Sequence, residues 1–130
     1  MNLVLSIDHV PDTKRDVVAC QIHGKSDDLI EIGVKNGNTL VVFHNNVTYG
    51  ILDANYKLSS KFKLIIKVNL CKIYVYYEDL LIPKVVIPNK SNDNYFKAGA
   101  YVQSNVTHGD KADAFGQVSI YLLHIEHYVK

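Results

Sequence analysis

Two short stretches concentrate the side chains that can do chemistry. In YFKAGAYVQ, residues 95–103, an extended strand sends successive side chains to opposite faces. One face then carries Tyr95, Lys97, Gly99, Tyr101 and Gln103, and the other Phe96, Ala98, Ala100 and Val102. The second set is apolar, as a sheet's buried side should be. The first is two phenols, an ammonium and an amide around a glycine. In VVACQIH, residues 17–23, Val17, Ala19, Gln21 and His23 share one face, and Val18, Cys20 and Ile22 the other. Gln21 and His23 therefore project together. A lone Gln-x-His reads most simply as a solvated strand face. Two such faces on one concave sheet make a surface suited to an anionic sugar. Lys97 would pair with a carboxylate, Gln21 and Gln103 would bond hydroxyls or carboxylate, and tyrosine rings would cover sugar faces. Gly99 would let the ligand approach the backbone closely.

Strands must position these groups, and nearly every segment has period two. Leu3, Leu5 and Ile7 alternate with Val4, Ser6 and Asp8 until Pro11 and Asp12 break the run. Residues 17–23, 29–35, 40–43, 47–52, 61–70, 73–77, 80–87, 95–103 and 117–128 read as further strands. Asn36-Gly37-Asn38 is a strong hairpin turn, and Pro83 and Pro88 mark edges or ends. Phe62, Leu64, Ile66, Val68 and Leu70 form one face; Lys61, Lys63, Ile65, Lys67 and Asn69 form the other. These lysines either extend a basic strip or make a solvated outer face. No window holds a helical period. The expectation is an all-β antiparallel sandwich of jelly-roll type, a single domain over residues 1–130.

Bulk composition narrows the function. The chain of 130 residues is 48% hydrophobic and 21% charged, with net charge +1. That is globular and offers no basic tract for nucleic acid. No segment has the length of a transmembrane helix, and the opening MNLVLSIDHVPD lacks the marks of a signal peptide. Cys20 and Cys71 are too few for a disulfide framework and read as two free buried thiols. Sequons occur at Asn46, Asn89 and Asn105, and matter only in a secreted protein. Neither polar strand carries a carboxylate, which disfavours a retaining glycosidase. No Gly-x-Ser-x-Gly elbow or glycine-rich phosphate loop exists. HIEH at 124–127 lacks metalloprotease spacing, so no metal and no cofactor are expected.

QIH at 21–23 and YFKAGAYVQ at 95–103, in that order on this strand pattern, resemble two of the three signature motifs of alginate lyases of polysaccharide lyase family 7. SIDHVP before the first and VSIYLLHIEH at the close agree as well, so the resemblance covers essentially the whole chain. The family's remaining motif, a strand of type Arg-x-Glu-x-Arg, precedes these and has no counterpart. Arg15 is the sole arginine and falls in a turn. The resemblance therefore implies the C-terminal part of a lyase domain, a jelly roll incomplete at its N-terminus.

It also implies β-elimination of a polyuronate, leaving an unsaturated sugar at the new non-reducing end. By the family's pattern Gln21 helps neutralise the sugar carboxylate, and His23 is the base or a second carboxylate partner. Tyr101 is the acid, and for mannuronate geometry also the base. Lys97 would favour the tyrosinate and attract the polyanion, Gln103 would bind sugar, and Tyr95 would shape the groove. Ile22 within the motif tilts the preference toward guluronate-containing blocks. The implied partner is an acidic polysaccharide, neither nucleic acid nor membrane, met outside the cell. Two other readings stand beside this one: a non-catalytic polysaccharide-binding remnant, and an unrelated sandwich with chance motifs.

Overall fold

The computed structural model describes residues 1–25, 28–45, 47–69, 71–90, 93–102 and 106–128. Each of the three sequons includes a residue outside this set, as do Gln103 and Leu70. The described strands are β1 (Asn2–His9), β2 (Val17–His23), β3 (Asp28–Lys35), β4 (Thr39–His44), β5 (Val47–Asp53), β6 (Phe62–Asn69), β7 (Lys72–Tyr77), β8 (Val85–Pro88), β9 (Tyr95–Val102) and β10 (Gln117–His124). A 3-10 turn covers Val106–His108, and the described residues hold no α-helix. None of them forms a helix long and apolar enough to cross a membrane.

Two five-stranded sheets result, in orders β10-β1-β6-β7-β8 and β5-β4-β3-β2-β9. Every pairing is antiparallel. The expected jelly-roll sandwich is borne out. Alternation supplies the core between the layers. Leu3, Leu5 and Ile7 of β1 and Leu64 and Ile66 of β6 meet Ile22, Ile30, Ile32, Val34, Leu40 and Val42 of the other sheet, all at most 2% exposed. Burying such a side chain contributes about 1.5–3 kcal/mol. The β3–β4 hairpin turns on Asn36 (φ 56°) and Gly37 (φ 79°), the paired positive angles of a type I′ turn. The Asn36 amide donates to Asp16 Oδ1 at 2.9 Å, and Arg15 packs over Gly37.

Several expectations are corrected. The run 80–87 is a strand only from Val85. Asp79 Oδ1 accepts the amides of Leu81 (2.8 Å) and Ile82 (3.4 Å), which bends that apolar stretch into a loop. The last strand ends at His124, not Tyr128. Cys20 is buried, whereas Cys71 is exposed, and both are free thiols.

The strict alternation of β2 also fails. Val18 pairs with Gly33 and Cys20 with Ile32, so β2 carries one extra residue, a bulge at Ala19. A bulge reverses the parity of everything beyond it. Val17, Ala19, Cys20 and Ile22 all join the core, while Val18 lies outside it with Gln21 and His23.

The sandwich is fully closed on one side and only partly closed on the other, where Val102 of β9 packs on Gly116 just before β10. Leu52, Val85 and Ile87, beside the edges β5 and β8, are at most 8% exposed. The opposite edges are β9 and β10. Phe96, Val102 and Val118 pack against the core, but other residues there remain wet: Leu123 pairs with buried Leu3 yet is 50% exposed, and Ile120 pairs with buried Leu5 yet is 39% exposed. Ala98, opposite buried Cys20, is exposed too.

Candidate active site

The register of β9, β2 and β3 builds the site on the outer face of the second sheet. Along β2, Val18 pairs with Tyr101, Gln21 with Lys97, and His23 with Tyr95. On its other side β2 sets Val18 against Gly33, Gln21 against Glu31, and His23 against Asp28. Three rows of side chains thus cross the face, with Gln21 between the Tyr101 row and the His23 row. The bulge at Ala19 and the extra residue Gly99–Ala100 of β9 keep the rows aligned. Gly99 makes this possible: its φ of 153° is one that other residues rarely adopt, and the space above it is open.

Gln21, His23, Asp28, Lys97, Gly99 and Tyr101 line a depression of about 270 Å³. A larger cleft, about 540 Å³, opens between the sheets beside Phe96 and Tyr128 and includes neither Gln21 nor Tyr101. The chemistry belongs with the smaller one. Tyr101, which lines the depression, is 60% exposed, and Tyr95, which lines the larger cleft, is 49% exposed. Gln21 is 6% exposed, with its Nε2 donating to Glu31 Oε2 at 3.4 Å.

His23 is held from two sides. Its Nδ1 is 2.6 Å from the Gly24 carbonyl, which fixes the proton there in the neutral ring and leaves Nε2 as the acceptor. Nε2 lies 3.3 Å from Asp28 Oδ1, an ion-pair distance when the ring is charged. That oxygen is buried and makes no aligned hydrogen bond. The imidazole also rests against Tyr95, with ring centroids 5.2 Å apart. The Lys97 ammonium lies over the Tyr95 ring, 5.5 Å from its centroid. Lys97 also lines the depression together with Tyr101.

Of the expected groups, Gln21, His23, Tyr95, Lys97 and Tyr101 share this face. Gln103 falls outside the described residues. Lys61, Lys63 and Lys67 do not extend the face. They belong to the other sheet's outer side, where Lys61 covers Tyr121 and Lys67 covers Tyr76. Arg15 packs on the β3–β4 turn and is not among the residues lining the depression. HIEH holds His124 Nε2 2.8 Å from Glu126 Oε1. No group of three or more His, Cys, Asp or Glu among the described residues is placed to hold a metal.

Sequence reasoning missed Glu31 and Asp28. Glu31 alternates with core residues Ile30 and Ile32, so its outward parity was readable; its place beside Gln21 required the β2–β3 register. Burial pushes the Glu31 carboxyl above its ordinary value, aided by nearby Asp28 and opposed by the Gln21 hydrogen bond. These carboxylates do not make a glycosidase pair. Glu31 is 7% exposed and bonded to Gln21, and Asp28 faces His23.

Comparison with known proteins gives the family and the fold. The family model for alginate lyase matches residues 1–127. The chain belongs to that family. Among solved structures it is similar to alginate lyase AlgAT5 from polysaccharide lyase family 7, with 38% identity and TM-score 0.87 over 92% of this chain and 54% of that one. The alginate lyase from Corynebacterium sp. is 31% identical, with TM-score 0.84 over the same shares, 92% and 54%. The alginate lyase from Klebsiella pneumoniae, at 22% identity and TM-score 0.73, shares the fold. No curated protein matches. The chain spans about half the length of the first two structures.

Proposed function

We propose that this chain, read as one lyase unit over residues 1–130, cleaves alginate by β-elimination. The observation that carries the reading is the register placing Gln21, His23, Lys97 and Tyr101 in one depression. The difficulty of the reaction is a weakly acidic proton on C-5 of a uronate, next to its carboxylate. Gln21 and Lys97 bind that carboxylate and offset the charge that develops as the proton leaves. In guluronate geometry His23 Nε2 takes the proton. The electron pair forms the C4–C5 double bond, the C4–O bond breaks, and the Tyr101 hydroxyl protonates the departing oxygen. In mannuronate geometry Tyr101 serves as both base and acid. Tyr95 shapes the groove, and Gln103 binds sugar in the same scheme. An extracellular setting, where the polymer is met, fits this chemistry.

The test is ultraviolet absorbance of the product double bond when the chain is mixed with alginate, with His23→Ala and Tyr101→Phe as controls. A rising signal lost in both variants is expected. A folded chain that binds alginate without any signal would reassign it as a binding module. The absence of a guanidinium from the depression is what makes that second reading worth the measurement.

A further inference from the structure

One buried ionisable group at the site has no part in the scheme above. Glu31 stands on β3 between Gln21 of β2 and Phe43 of β4, its Cα partners on either side. It is 7% exposed, and its Oε2 accepts the Gln21 amide at 3.4 Å. An ionised carboxylate only accepts, so it holds the Nε2 end of Gln21 toward itself. A protonated one can donate to Oε1, which frees both Nε2 hydrogens for an incoming anion.

The surroundings set the balance. On β2 the neighbours are Gln21 and His23; on β3, Asp28 precedes Glu31 and Lys35 follows it on the same side. On β9 the charge is Lys97, one strand beyond Gln21. The facing residue of β4 is Phe43, and of β5 Thr48, whose Oγ1 accepts a hydrogen bond from the Lys35 ammonium at 3.4 Å, two strands from Glu31. Glu31 therefore has no cation as its direct cross-strand partner. A uronate carboxylate arriving at Gln21 adds a second negative charge beside it, and like charges disfavour ionisation.

We propose that Glu31 is a positioning residue for sugar binding: it orients the Gln21 amide, and it takes up a proton when a uronate carboxylate docks against that amide. The proposal rests on the polyuronate reading of the site. Its consequence is a ligand affinity that weakens by up to about tenfold per pH unit once Glu31 ionises in the free protein.

Two measurements test it. The first is calorimetric titration with a guluronate-rich alginate oligosaccharide, in two buffers of different ionisation heat. Wild type should take up protons on binding, and Glu31→Gln should bind with less uptake and a flatter pH dependence. Equal uptake in both, or none in wild type, overturns the proposal. The second needs no sugar: the Gln21 side-chain amide resonances are followed against pH. They should move with a midpoint above the ordinary glutamate range in wild type and stay fixed in Glu31→Gln. Resonances that do not move in wild type overturn the coupling. Failure of wild type to bind the oligosaccharide while these resonances titrate would remove the polyuronate reading, and with it the sugar-linked role, while leaving the Glu31–Gln21 coupling in place.

Discussion

Gln21 sits between Tyr101, one row away along β2, and His23, one row the other way. In the proposed scheme the amide that would receive the sugar carboxylate is thus flanked by a phenol and an imidazole. Tyr101→Phe should lower the elimination rate by about 10²-fold or more. Because the side chain is 60% exposed, the thermal midpoint should hardly move. Full activity in Tyr101→Phe would remove the phenol from the mechanism. Glu31 yields a prediction about folding itself. Burial raises its carboxyl, so the folded chain holds the proton more tightly than the unfolded chain. That contribution is complete at low pH and is lost as pH rises through the folded value. The urea midpoint of wild type relative to that of Glu31→Gln should therefore fall from acid to neutral pH; a constant difference would contradict the raised carboxyl. The thiols separate the same way. Burial pushes Cys20 up to about 12, while Cys71 is exposed. A thiol reagent at mildly alkaline pH should label one cysteine in the native chain and two after unfolding; two fast native labels would contradict the buried position of Cys20.

The site depends on how β2 lies against β3. The bulge at Ala19 brings the Val17 carbonyl to 2.1 Å, and the Val18 Cα to 2.7 Å, from where a Cβ of Gly33 would be. No side chain fits there. Gly33→Ala should destabilise the fold by about 2 kcal/mol or more, since backbone must move. Gly99→Ala meets open space and carries only the cost of its backbone angle, about 1 kcal/mol or somewhat more. Chemical denaturation of the two variants would rank them, and the reverse order would refute the tight β2–β3 approach. These contacts also mark where the sequence stops being legible. Period two is local, so it revealed the strands and the shared face of β9. The Asn36-Gly37 turn announced itself by residue type. The parity reversal in β2 did not, because it depends on a glycine fourteen residues further on. Nor did the strand pairing that brings Glu31 and Asp28 beside the motif residues. The apolar Leu80–Ile82 run looked like strand because nothing in its alternation shows that Asp79 captures two of its amides.

At the scale of the whole molecule, the most apolar exposed margin is β10. β10 is an uncharged edge with Tyr121, Leu122 and Leu123 each about half exposed (53%, 48% and 50%). Such an edge invites pairing with another chain. Leu122→Lys, on the outer side of that strand, should reduce concentration-dependent light scattering without altering the circular dichroism. Unchanged scattering would place the contact elsewhere. The same asymmetry orders the way the protein comes apart. Like a book with a bound spine and a fore-edge clasped at one corner, the molecule buries side chains completely on β3, β4, β6 and β7, while β9 and β10 meet where Val102 packs on Gly116 and stay wetter elsewhere. Amides of the spine should exchange with deuterium only through global opening, and those at the fore-edge through small local ones. Tyr101 and Lys97 ride on the free margin, whereas Gln21 and His23 sit one strand inward. The two halves of the proposed chemistry would then differ in tempo, the phenol and ammonium breathing against a steadier amide and imidazole.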